Sequence, residues 1–127
     1  MATLQGSRIL VIDDSNVIRK TAELFLSEAG CHVVLAEDGF LGLARLAESE
    51  PSLVLADIGM PRLDGFETCA LIKRSGKYRN TPVVMLTARD GLFDRARARL
   101  CGCDGYLVKP FTKDGLLKIA TTLVARA

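Results

Sequence analysis

Three aspartates, a threonine and a lysine stand where short apolar runs end. Ile9-Leu10-Val11-Ile12 leads into Asp13-Asp14, and Leu53-Val54-Leu55-Ala56 into Asp57. Val83-Val84-Met85-Leu86 leads into Thr87, and Tyr106-Leu107-Val108 into Lys109-Pro110. Carboxylates gathered in one place repel one another unless a cation joins them. A hard divalent ion answers that need, and Mg²⁺ held by one or two carboxylates, water and a substrate phosphate is a common arrangement. A carboxylate can also act as a nucleophile and form an acyl phosphate. Phosphoryl transfer otherwise asks for positioning and charge neutralisation, and an ammonium and a hydroxyl supply both. One aspartate after a strand would be read as a turn or a helix cap. A pair, a third aspartate and a lysine together point to chemistry.

The roles divide by position. Asp57 stands singly at the end of its run, before a loop with Gly59 and Pro61, and is the candidate nucleophile. Asp14 is the candidate direct ligand to the ion, Asp13 a ligand through water, and the Gly59 carbonyl a further oxygen. Lys109 would neutralise phosphoryl oxygens, Thr87 would donate its hydroxyl to another, and the small Ala88 leaves room for the group.

These residues need a scaffold that brings the ends of several strands to one edge. Short apolar runs bounded by turn signals are the mark of strands buried on both faces. In an open parallel sheet the functional crevice lies outside the carboxyl ends of the strands. Strand and helix patterns alternate along the chain, which predicts an α/β fold with a parallel sheet. Ser15 caps a first helix with Ile18, Ala22, Phe25 and Ala29 inward, and Gly30 ends it. A second strand spans 32–36. Asp38-Gly39 opens a second helix with Leu43, Leu46 and Ala47 inward, stopped before Pro51. Asp64 and Glu67 have capping-box spacing ahead of a third helix. Asp90 caps a fourth, closed by Gly102. Thr112 caps a fifth, with Leu116, Leu117, Ile119, Ala120 and Leu123 available for packing. Right-handed crossovers then give a doubly wound (βα)5 sandwich of flavodoxin-like type.

A length of 127 residues suits one domain, with a core over about 8–125 and no room for an output domain. The first residues lack the charged and apolar regions of a signal peptide. No apolar stretch reaches the ~20 residues that span a bilayer. A cytoplasmic protein without membrane insertion is the expectation. Cys31, Cys69, Cys101 and Cys103 fit no zinc spacing, and free cysteine packs as a small hydrophobe. Residues 1–60 carry a net charge of −5 and residues 61–127 one of +7. The basic residues are scattered through helix patterns without interleaved aromatics, which argues against a nucleic-acid partner.

Asp13-Asp14, Asp57 with Met60-Pro61 and Asp64-Gly65, Thr87-Ala88 and Lys109-Pro110-Phe111 together resemble the receiver domain of response regulators in two-component signalling. The resemblance runs from about Arg8 to the last helix. It implies the strand order 2-1-3-4-5, a histidine kinase as phosphodonor to Asp57, Mg²⁺ as cofactor, and contacts from Thr87 and Lys109 to the phosphoryl group. It also implies that Tyr106 changes rotamer with Thr87 and that the Lys109–Pro110 bond is cis. Residues 57–62, Cys69 to Lys73 and Asp90 to Asp94 look more narrowly like single-domain, chemotaxis-type regulators of type IV pilus twitching motility. Gly59 and Arg89 stand where some rapidly resetting relatives carry acidic or polar side chains.

The expected function is a stand-alone, phosphorylation-switched binding module rather than an enzyme. Its output surface would be the fourth helix, fifth strand and fifth helix, carrying Arg95, Arg99, Lys113 and Lys118. The alternative within the family is a phosphate sink that drains the kinase and binds no target. An aspartate-nucleophile phosphatase would want a second Asp where Gly59 stands. A flavin-binding relative would want a Ser/Thr/Gly-rich phosphate loop where Asp13-Asp14 stands.

Overall fold

The apolar runs are strands because both of their faces are covered. β1 (Arg8–Ile12), β2 (His32–Ala36), β3 (Leu53–Asp57), β4 (Val83–Thr87) and β5 (Gly105–Val108) alternate with α1 (Asn16–Glu28), α2 (Gly39–Ser49), α3 (Gly65–Arg74), α4 (Leu92–Leu100) and α5 (Lys113–Val124). This computed structural model describes residues 3–88 and 92–126, with Leu92 and Phe93 described through their backbone alone. The strands form one parallel sheet in the order β2-β1-β3-β4-β5, as expected. Every residue of β3 and β4 is buried.

Successive strand residues point to opposite faces, and the core divides accordingly. Ile9, Val11, Leu53, Leu55, Val84 and Leu86 pack with Ala22 and Leu26 of α1 and Leu116, Ala120 and Leu123 of α5. Leu10, Ile12, Val54, Ala56, Val83 and Met85 pack with Leu46 of α2, Phe66, Cys69 and Ile72 of α3 and Ala98 of α4. The sheet is therefore covered by two helices on one side and three on the other. Met85, Thr87 and Tyr106 share the second face through the β4–β5 register, in which Met85 lies beside Tyr106.

Local chemistry sets where each helix begins. The Ser15 hydroxyl accepts from Ile18 N–H at 3.3 Å, and the Asp38 carboxylate from Leu41 N–H at 2.7 Å. Asp64 and Glu67 form the full capping box. The Thr112 hydroxyl accepts from Gly115 N–H at 3.0 Å. All four caps follow strands at the carboxyl edge of the sheet, so they also fix the loops of the site. The expected cap Asp90 lies outside the described residues, as does Arg89. Gly102 closes α4 at φ +85, a left-handed conformation that costs glycine little.

One inward assignment changes, on α2, while Ile18, Ala22, Phe25 and Ala29 of α1 face the core as expected. Ala47 is exposed, because Gly42, buried against Ile12, takes the inner position on α2. On α1 the fully buried Leu26 packs more deeply than Phe25 and Ala29 beside it. Among the described residues, no helix is long and apolar enough to cross a membrane.

Candidate functional site

Parallel strands of matched register deliver Asp13, Asp57, Thr87 and Lys109 to one edge. Asp13 follows β1, and its N–H donates to the Ala36 carbonyl at 3.1 Å. Asp57 ends β3 opposite Leu86. Ile58 N–H donates to the Leu86 carbonyl at 3.0 Å, and Lys109 N–H to the Thr87 carbonyl at 2.6 Å. The lysine is thus tied by its backbone to the strand that carries the threonine. The Lys109–Pro110 bond is cis, as the resemblance implied.

The side chains converge further. Lys109 Nζ donates to Asp13 Oδ2 and to Asp57 Oδ1, each at 3.1 Å. Asp57 Oδ1 also accepts from Gly59 N–H at 3.1 Å. Two donors on one oxygen fix the orientation of this carboxylate. Asp13 Oδ1 accepts from Ser15 N–H at 2.9 Å, and Arg19 donates to the Asp13 carbonyl at 2.7 Å. Asp13, Asp14 and Asp57 each offer one oxygen, and these lie within 4.8 Å of one another. Asp13 and Asp57 are buried, whereas Asp14 is exposed.

Crowded, partly desolvated carboxylates resist ionisation. Burial raises the Asp13 carboxyl above its ordinary value and the Asp57 charge adds to this, against relief from Ser15 N–H and Lys109. Asp14 is raised by burial, then by its hydrogen bond to Asp57 and that group's charge. Burial works against the Lys109 ammonium, but its hydrogen bond to Asp57 and the charges of Asp13 and Asp57 outweigh it, so its pKa stands above the ordinary lysine value. One ammonium therefore faces three carboxylates. The donor set is all oxygen, compact and rich in negative charge, which fits a hard divalent cation such as Mg²⁺.

A pocket of about 270 Å³ opens beside this cluster, lined among others by Asp57, Gly59, Thr87, Ala88 and Lys109. Thr87, Ala88 and Lys109 thus stand where a group on Asp57 would sit. Phe66, Asp94 and Arg97 line the same pocket, and the Arg97 guanidinium lies 4.2 Å from the Phe66 ring centroid. The sequence offered no sign of this, because Arg97 sits in an alternating Arg/Ala run that reads as a solvated helix face. Gly65 is a point of close backbone approach at the same site. A Cβ there would come within 2.3 Å of the Asp57 carbonyl oxygen and 2.8 Å of Met85 Cε, so α3 presses directly on the end of β3.

The residues expected at an output surface lie around α4, β5 and α5. Arg95, Arg99 and Tyr106 line a second pocket of about 320 Å³, and the Arg95 guanidinium lies 5.8 Å from the Tyr106 ring centroid. Lys118 lines a neighbouring pocket on α5. Lys113, at the start of α5, pairs with Glu28 of α1.

The geometry finds close counterparts among known proteins. Over 112 residues the chain is 53% identical to Protein PilG of Pseudomonas aeruginosa, covering 88% of this chain and 83% of that protein. It is 40% identical over 119 residues to Response regulator MprA of a Mycobacterium species, covering 94% of this chain but 51% of that protein, and so spans about half its length. The chemotaxis protein CheY4 of Vibrio cholerae superposes with a TM-score of 0.89 at 31% identity, covering 93% of this chain and 98% of that one. The receiver domain of the sensor histidine kinase PA1611 of Pseudomonas aeruginosa, solved with a magnesium ion coordinated in its active site cleft, superposes at 0.87 with 28% identity, over 94% and 98% of the two chains. Residues 9–121 match the model of the response regulator receiver domain, and the chain belongs to that family.

Proposed function

We propose that this chain is a phosphorylation-driven switch in which Asp57 accepts a phosphoryl group from a histidine kinase and thereby changes the binding of a protein partner. The observation that carries this reading is the Lys109 ammonium, 3.1 Å from both Asp13 and Asp57, at the mouth of a pocket that Thr87 lines. An Asp57 oxygen would bond to phosphorus as the donor's leaving group departs. Lys109 then follows the charge from the carboxylate to the phosphoryl oxygens, and the Thr87 hydroxyl donates to another of them. Asp13, Asp14, Asp57 and the Gly59 carbonyl would hold Mg²⁺, Asp14 directly and Asp13 through water. The ion supplies charge neutralisation and alignment, and the magnesium in the PA1611 receiver domain supports this assignment.

The signal would leave through Thr87 and Tyr106, which share one face of the sheet, to the surface of α4, β5 and α5. The likeness to PilG supports a place in a chemotaxis-like pathway governing type IV pilus twitching motility. A ligand shifts an equilibrium only by its differential affinity for the two states. Here the differential contact is the charge-assisted bond from Thr87 to a phosphoryl oxygen, worth about 1.5–3 kcal/mol, or a shift of roughly 10- to 150-fold. The test is amide NMR with Mg²⁺ and beryllofluoride, a phosphoryl mimic. Wild type should move resonances around Asp57, Tyr106 and α5, whereas Thr87→Ala should move those at Asp57 and lose most of the change at Tyr106. Equal changes at Tyr106 in both proteins would show that Thr87 does not carry the signal.

A further inference from the structure

The phosphoryl pocket has a second cation in its wall, which the chemistry described above does not use. Arg97 of α4 lines the same pocket as Asp57, Thr87, Ala88 and Lys109. Its guanidinium lies over the ring of the buried Phe66, 4.2 Å from the centroid, which is a close cation–π contact. That attraction runs through the face of the ring and leaves the five N–H donors for another partner. Among the described residues no carboxylate forms an ion pair with Arg97. Asp94, three residues earlier on α4, lines the pocket without pairing with it. The wall beside the acceptor is open as well. A Cβ on Gly59 would meet only Asp57 Oδ1, at 3.8 Å, and Ala88 is small and exposed. A long side chain therefore has room to reach a group carried by Asp57.

We propose that Arg97, held over Phe66, binds the phosphoryl group on Asp57 as a second cation beside Lys109. The inference rests on Asp57 being the acceptor. The change of charge at the site asks for such a partner. Lys109 already serves two carboxylates, at 3.1 Å from each. Phosphorylation replaces the single negative charge of Asp57 by about two and brings three strong acceptor oxygens. Lys109, the Thr87 hydroxyl and a divalent ion meet part of that demand. The planar fork of an arginine meets the rest, because it engages two phosphoryl oxygens in parallel. Arg97 belongs to α4 and Thr87 to β4, so the phosphoryl group is held from two elements. The arginine thereby ties the position of α4 directly to the state of Asp57.

The experiment titrates the full chain with beryllofluoride at saturating Mg²⁺ and reads affinity from amide NMR. Arg97→Gln should bind beryllofluoride about tenfold more weakly than wild type, the loss of one hydrogen bond to a charged group. Its affinity for Mg²⁺ alone should not fall. Arg97→Lys should recover part of the loss, since it keeps the charge but not the fork. Arg74→Gln removes the same charge from the last residue of α3 and should bind as wild type does. Equal affinity in wild type and Arg97→Gln would overturn the proposal. An equal loss in Arg74→Gln would also overturn it, as an effect of net charge alone. Wild-type affinity in Arg97→Lys would overturn the forked contact. A wild-type chain that takes up no beryllofluoride, or an Asp57→Asn variant that takes it up equally well, would overturn the acceptor reading itself. The two failures are therefore distinguishable.

Discussion

Asp13 and Asp14 are the residues at which electrostatics decides most. Both carboxyls stand above the ordinary value of 3.8. A group raised in the folded state binds its proton more tightly there than in the unfolded chain, so folding is favoured below pH 3.8 and loses that advantage as pH rises through the raised value. In the presence of a chelator, stability should therefore fall as pH climbs out of the acid range, and the fall should be shallower in Asp14→Asn. Added Mg²⁺ should restore wild type near neutral pH and leave Asp14→Asn nearly unmoved. Thermal melts over pH with and without Mg²⁺ read both effects, and an equal Mg²⁺ shift in the variant would remove Asp14 from the ligand set. Lys109 acts in the opposite sense, since its raised pKa contributes stability below 10.5 that is lost as pH rises through the folded value. Lys109→Ala leaves Asp13, which has no exposed surface, without its counter-charge. It should cost about 3 kcal/mol in the chelated protein, with much of that recovered by Mg²⁺. Denaturant titrations in the two conditions measure the difference, and an unchanged midpoint in chelator would show that the pair contributes nothing.

The elements place these residues by close backbone approach as much as by strand order. Gly65 opens α3 against the Asp57 carbonyl, and no larger residue fits without moving one of them. Gly65→Ala should destabilise by about 1–3 kcal/mol and slow labelling of Asp57 through displacement of the end of β3. Gly76→Ala has open space and should do neither. Chemical denaturation with labelling of both variants makes the comparison, and a Gly65→Ala protein indistinguishable from Gly76→Ala would contradict it. The strands and four of the caps were legible because apolar run length and Ser, Asp and Thr at helix starts are local signals. Ala47 was misplaced because the buried small residue on α2 is Gly42, which hydrophobic periodicity does not count. The pairing of Lys113 with Glu28 was not legible, because its partner lies on a helix distant in sequence.

At the scale of the molecule, the parallel sheet converts four separate strand ends into one site, and that convergence could be read from residue types alone. Asp13, Asp14, Asp57, Thr87 and Lys109 all reach the carboxyl edge where the apolar runs implied. Arg97 over Phe66 could not be read, because it depends on how α4 lies across the sheet rather than on any spacing within it. The central claim is that the whole arrangement serves a single acceptor. The most direct measurement incubates the protein with Mg²⁺ and a small phosphodonor, reduces the acyl phosphate with borohydride, and maps the product by mass spectrometry. The modification should fall on Asp57 alone and vanish in Asp57→Asn. Labelling of Asp57→Asn to the wild-type level, or a modified Asp13 or Asp14 in the wild type, would contradict the account.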